Sequence, residues 1–231
     1  MTEAGAVDDL TRQQLVLMAW FSPAFPIGGF AFSHGLEWAQ EIGAVSGRAG
    51  LEDWLGDVLA LGSGRTDAVL LALAYRAAAA GDRAGLRETA ELGAALQPSR
   101  ERHLEATVQG AAFLTLVGAA YPTVALGAGE IDHITLPVAA GLCGAAHGLA
   151  LPGLLTAYLA GFAANLVSAA VRLGIVGQTD GQRVLAALHP VLARVAEAAT
   201  DATVDDLGSA ALRSDLFSLQ HETQYSRLFR S

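Results

Sequence analysis

Between Asp132 and Arg172 the chain carries no Asp, Glu, Lys or Arg. An uncharged run of that length belongs either in a bilayer or at the centre of a packed protein. Pro137 and Pro152 interrupt it, glycines recur along it, and His147 and Asn165 lie within it. No Lys/Arg cluster flanks it to set a membrane topology. The prolines divide the run into two helices of about 12 and about 20 residues, the centre of a helical bundle rather than a span. The second helix starts at Pro152. Its Leu155, Tyr158, Leu159, Phe162, Leu166, Ala169, Ala170 and Leu173 form one broad apolar stripe. Gly153, Ala157, Ala160, Gly161, Ala163 and Ala164 make the remaining surface narrow, so another helix can approach closely. A helix that is apolar all round is buried, within the bundle or across a subunit interface. Asn165 and Ser168 are its polar exceptions and are expected to bond inside the bundle.

The rest of the chain reads as further helices. Of 231 residues, 52% are apolar, with alanine and leucine dominant and few β-branched runs. One all-α domain, a bundle of about ten helices, is the expected fold. Asp8 or Asp9 caps a first helix over Thr11 to Phe21. Leu51, Trp54, Leu55, Val58 and Leu59 recur at helical spacing. Thr66 and Asp67 open another helix, and Gly81-Asp82 is a turn and cap before Leu86 to Leu96. From Pro98-Ser99 a helix runs through Phe113 to near Pro122; its charged start, with Arg100, Glu101, Arg102, His103 and Glu105, reads as a solvated face, with an ion-pair platform for a partner as the second reading. Gly127, Gly129 and Asp132 mark a loop. Thr179, Asp180 and Gln182 fit a capping box, with Asp180 at the positive end of the helix dipole. Pro190 is expected to divide the segment that follows into two short helices, ending near Thr200.

Two stretches stand apart. From Ser22 to Glu37 two prolines (Pro23, Pro26), two adjacent glycines (Gly28, Gly29) and three aromatics (Phe25, Phe30, Phe32) are interleaved. The breakers end the incoming helix, and the rings make this a buried or docking corner. Ser33 is the expected cap of a helix through Leu36 and Trp38 to about Ile42. At the other end, residues 220–231 hold Tyr225, Leu228 and Phe229 beside Arg227 and Arg230. Chain ends are usually frayed and polar. Tyr and Arg are the types that dominate interface hot spots, so docking and self-packing both stay open for this tail.

The chemistry that is missing narrows the function. All 14 basic residues are arginine, and 23 acids leave a formal net charge of −9. That argues against non-specific nucleic-acid binding. Without lysine there is no phosphate-binding loop of the usual kind. Cys143 is alone among small apolar residues, so no disulfide framework and no cysteine-rich zinc site can form. A reducing, cytoplasmic home follows, and Met1 to Asp9 lacks the basic start of a signal peptide. The histidines, His34, His103, His133, His147, His189 and His221, have no ligand spacing. Neither a catalytic triad nor a resident metal or cofactor is indicated. A helical enzyme built on His147, Asn165 and Asp180, or a small membrane protein, remains as an alternative at this level.

Three segments together resemble the urease accessory protein UreF family. They are Ser-Pro-Ala-Phe-Pro-Ile-Gly-Gly-Phe at 22–30 with Ser33 and Gly35-Leu36-Glu37; Asn-Leu-Val-Ser-Ala-Ala-Val-Arg-Leu-Gly at 165–174 with Gly177-Gln178-Thr179-Asp180-Gly181-Gln182; and His221 to Ser231. The pattern is less distinct from 43 to 98. The resemblance implies an all-helical homodimer that is not an enzyme. It implies a bridge between UreD (also called UreH) and the nickel-carrying GTPase UreG, in a complex that delivers nickel to apo-urease. Nickel would be handled by the complex, and gating of GTP hydrolysis by UreG is proposed for the family. By the same resemblance the tail becomes ordered when UreD/UreH binds, through Tyr225, Arg227, Leu228, Phe229 and Arg230. Pro26, Gly28, Gly29, Phe30, Ser33 and Glu37 would lie near the surface for UreG and urease. The small-residue helix would help build the dimer. His34, His133 and His221 are the transient nickel contacts left open.

Overall fold

A computed structural model describes residues 8–121 and 131–231 of the chain. The expected loop glycines Gly127 and Gly129 lie outside the described residues. Among those residues there are ten α-helices, two short 3-10 turns and no strand, so the fold is all-α. The helices are α1 (Asp9–Trp20), α2 (Leu36–Glu41), α3 (Gly47–Leu61), α4 (Ser63–Ala80), α5 (Arg83–Ala95), α6 (Arg100–Ala120), α7 (Leu136–Ala146), α8 (Leu151–Arg172), α9 (Gln178–Thr200) and α10 (Leu212–His221). The 3-10 turns are Gly29–Ala31 and Val204–Asp206. Asp8, Asp82 and Ser99 cap α1, α5 and α6 through their side chains.

The uncharged run becomes α7 and α8, and α7 lies deepest. Its Val138, Ala139, Ala140 and Cys143 are wholly buried. Gly141 explains how α7 packs on α4: a Cβ there would overlap the Leu71 carbonyl and sit 2.9 Å from Tyr75 N. Gly110 plays the same part where α6 passes the entry to α7, since a Cβ would run into the backbone of Ile134 and Thr135. Leu70, Leu71, Phe113, Leu154, Leu155 and Leu159 fill the space between α4, α6 and α8. Trp20 meets Phe113 edge-on at 5.4 Å, and Phe21 stacks on it at 6.1 Å.

Helix α8 packs on α9 with one face and on α1 with another. The α1 contact uses part of its small-residue surface: Gly153 faces Leu17 and Gly161 faces Phe21. That surface is therefore partly occupied within the chain. The α3–α4 stretch Gly47–Ala80 and α8 are each long and apolar enough to cross a membrane. Two thirds of the first apolar window and half of the second are buried against the protein itself.

Four local expectations are corrected. The charged start of α6 is not a solvated face, because Arg102 and Glu105 are 5% and 3% exposed. The capping box at Thr179–Gln182 does not form. Helix α9 begins two residues earlier, at Gln178 behind Gly177, without a side-chain cap, and Asp180 pairs instead with Arg183 at 2.9 Å. Pro190 does not split α9, which runs unbroken through it. Proline has no N–H to give the Ala186 carbonyl, and both residues are exposed, where that carbonyl is open to solvent. Ser33 does not start α2 directly. His34 and Gly35 adopt left-handed backbone, φ 56° and 75°, and the helix begins at Leu36. Gly35 is needed for space as well as for φ, since a Cβ would lie 2.7 Å from Ser218 N on α10.

Gly141→Leu is expected to cost about 3 kcal/mol or more, because the new side chain meets backbone that cannot step aside. Urea unfolding followed by circular dichroism measures it.

Candidate partner interface

The three segments that stand out in the sequence meet in one place. Asn165 of α8 donates to the Gly29 carbonyl at 3.0 Å, so it does bond inside the bundle, while Ser168 is exposed. Two turns beyond Asn165, Arg172 donates to the Phe30 carbonyl at 2.6 Å and lies 4.4 Å over the Phe229 ring. The last turns of α8 thus hold the Gly28–Phe30 loop with one side chain and loop plus tail with another. Gly28 is left-handed, φ 78°, which lets the loop turn its carbonyls toward α8.

The tail returns across the same corner. Arg230 N–H donates to the Ala31 carbonyl at 2.8 Å. Ser33 N–H donates to the Ser231 carbonyl at 2.8 Å, and the Ser33 hydroxyl donates to the same oxygen. Glu37 carries the most. Its Oε1 accepts the Leu228 amide at 2.6 Å, and its Oε2 accepts the Phe229 amide at 2.9 Å and faces His221 Nε2 at 3.0 Å. His221 Nδ1 faces Glu101 Oε2 at 2.6 Å, and Arg227 donates to Glu101 Oε1 at 2.5 Å. His221 thus has a carboxylate at hydrogen-bond distance from each ring nitrogen.

A second buried network lies beneath. Arg102 and Glu105 pair one turn apart on α6. His34 Nε2 lies 2.7 Å from Glu105 and 2.6 Å from Arg102, and a neutral ring can serve only one of them. Burial first, then the Arg102 charge, lowers the His34 pKa, which favours that neutral ring. Burial alone would raise Glu105, but the Arg102 charge, His34 and the Ser231 hydroxyl at 2.8 Å outweigh it and hold Glu105 at about 2. Asp67 of α4 accepts from the Tyr158 hydroxyl at 2.7 Å, and burial pushes its pKa up to about 6. Ser231 therefore ties the tail to this core network.

The expected contact residues sort by depth. Ser33, Glu37 and Phe229 are buried and hold the tail against the body. Pro26, Phe30, Tyr225, Arg227, Leu228 and Arg230 are exposed, with Tyr225 fully so. Gly28 and Gly29 are half-buried. The boundary expected between 219 and 220 falls in the last turn of α10, whose end leads straight into the packed tail. Among the histidines, His221 has both ring nitrogens engaged, while exposed His133 stands 5.6 Å from His103, ring to ring.

The UreF family model matches residues 45–189. Relatives extend the likeness over the whole chain. A urease accessory protein UreF from Rhodopseudomonas palustris strain BisA53 is 50% identical, covering 100% of this chain and 98% of its own length. Those from Bradyrhizobium sp. strain BTAi1 and Xanthobacter autotrophicus strain Py2 are 52% and 49% identical over 93% and 99% of this chain, and 90% and 95% of their own lengths. The chain belongs to the UreF family. The matched stretch includes residues 45–98, where the sequence pattern looks least distinctive, and stops short of the corner and the tail.

Arg102, Glu105, Glu101 and Arg172 are the members of this UreF site that sequence reasoning passed over. A signal existed for the first two. Arg102, Glu105 and Gln109 continue, one helical turn at a time, the buried face of Phe113 and Val117. Polar residues in register with an apolar stripe point to a buried network.

Asp67 gives a pH signature. Its folded pKa, about 6, exceeds the ordinary 3.8, so the folded state holds the extra proton between them and stability declines as pH rises through that window. Asp67→Asn is expected to stabilise the protein at about pH 8 by an amount on the order of 1–3 kcal/mol, and to leave it nearly unchanged near pH 4. Thermal melts at the two pH values check this.

Proposed function

We propose that the chain is a non-enzymatic scaffold for urease maturation, working as a homodimer in the cytoplasm. It bridges UreD/UreH and the GTPase UreG, and the assembly inserts nickel into apo-urease with GTP hydrolysis. Nickel passes through the complex and has no resident site on this chain. Binding UreG with different affinity in its GTP and GDP states would bias metal release and so gate hydrolysis.

The observation that carries this reading is the seating of the tail on the corner. Alternate tail residues face in and out. Phe229 and Ser231 anchor the tail, and Leu228 and Arg230 are turned to solvent beside exposed Tyr225 and Phe30. An exposed Tyr, Leu and Phe among arginines on a pinned backbone has the composition and rigidity of a binding surface. That the relatives carry the name urease accessory protein supports urease maturation as the process served.

The surface is tested by Tyr225→Ala and Leu228→Asp, both outward-facing changes that leave the anchors in place. Each is expected to weaken binding of UreD/UreH by about 30-fold or more, the cost of a hot-spot residue of ~2 kcal/mol, with helical content unchanged. Undiminished affinity in both variants, read by titration calorimetry, would move the contact elsewhere on the helical body.

A further inference from the structure

The corner and the tail turn cations outward, in a chain whose formal net charge is −9. Residues 21–36, 133–179 and 223–231 contain no Asp or Glu. Those stretches supply the Gly28–Phe30 loop, the end of α8 and the seated tail. Four arginines stand on or beside them: Arg100 at the start of α6, Arg172 in the last turn of α8, and Arg227 and Arg230 on the tail. The carboxylates that meet this unit are turned inward. The side chains of Glu37, Glu101, Glu105 and Glu222 are 8%, 15%, 4% and 13% exposed.

The arginines are not used up by those carboxylates. Arg100 gives Nε and Nη2 to Glu222, yet its side chain stays 90% exposed. Arg227 reaches Glu101 through Nη1 and is 39% exposed. Arg172 donates to the Ser168 and Phe30 carbonyls and covers the Phe229 ring. Arg230 lies 5.8 Å over the Phe32 ring. Among the described residues neither Arg172 nor Arg230 has a carboxylate partner, so two full charges go uncompensated. A guanidinium has five N–H donors, and each of the four keeps some of them for a ligand. Contact with carbonyls and rings already limits how Arg172 and Arg230 can move, which lowers the ordering cost of binding. Between these cations stand Phe30, Tyr225 and Leu228, all exposed.

We propose that this face is a cationic landing surface for an acidic protein surface, one whose carboxylates surround an apolar recess. Carboxylates are the ligands that match the fork of a guanidinium, and the recess takes the exposed ring and leucine. A nucleic acid fits less well, because a polyanion reaching past this face meets a strongly acidic chain. Screening makes the local sign decisive. At about 0.1 M salt the Debye length is about 10 Å, so a docking partner feels these arginines and little of the distant net charge. That the acidic partner is UreD/UreH rests on the functional reading above; the sign of the face does not.

The sign is read first, on the full chain with no partner. An anionic and a cationic nitroxide of equal size are compared by the proton relaxation each causes. The anionic probe is expected to relax the Tyr225 and Leu228 protons at least about 2-fold more than the cationic one, the reverse of the ratio averaged over the chain. Equal relaxation, or stronger relaxation by the cation, would overturn the proposal whatever the partner does. The partner is read second. Arg100→Gln, which keeps a donor for Glu222, combined with Arg230→Glu is expected to slow association with UreD/UreH by about 10-fold or more at ~0.1 M salt, and by less at ~0.5 M. Arg230→Lys is expected to keep the fast rate, which separates charge from packing. Association untouched by the double substitution would also overturn the proposal. If Leu228→Asp still weakens that complex, the functional reading survives the loss of this inference.

Discussion

The Glu37 carboxylate is the joint on which the site depends. It sits on the shortest α-helix, 6% exposed, with no partner of its own on α2. A charge buried that deeply must be paired or neutralised. The partners come from the far end of the chain: two tail amides and His221. Glu105 repeats the pattern one layer down, where Arg102 supplies the charge and Ser231 one of the hydrogen bonds. Breaking a buried pair by removing one member typically costs about 3–5 kcal/mol. The tail is thus an integral part of the packed body, and its removal leaves both carboxylates short of partners.

This dependence gives the corner its unusual composition. Pro23, Pro26 and the paired glycines bend the chain so that the Gly29, Phe30 and Ala31 carbonyls are available to Asn165, Arg172 and the tail. Phe25 and Phe32 turn inward, and Phe30 is left outside. Sequence features that look like three separate motifs are one structural unit. Its inner residues fix the tail and its outer residues are exposed to solvent.

Local chemistry made most of the fold legible. Asp8, Asp82 and Ser99 announce helix starts through short-range caps, and Pro152 separates α7 from α8 as its ring geometry requires. The failures have physical causes. Arg102 and Glu105 looked solvated because their partner His34 lies 68 and 71 residues away in sequence. Thr179 resembled a cap, but Gly177 takes that position and Gly181 lets the first turn of α9 pack against Val167 and Val171. Pro190 is tolerated because the helix face it occupies is wet. At the site, the tail was recognisable as a candidate from its Tyr and Arg content. Its seating was not, since nothing local to residues 225–231 reveals that a carboxylate at position 37 needs two amides.

We propose that the seated tail and the corner together form the surface that UreD/UreH binds. Light scattering after size-exclusion chromatography tests it most directly, with the full chain and a chain ending at Ser218 each mixed with UreD/UreH. A stable complex is expected for the full chain, and none for the shortened chain even where circular dichroism shows that its helices remain. A shortened chain that forms the complex as well as the full one would contradict it.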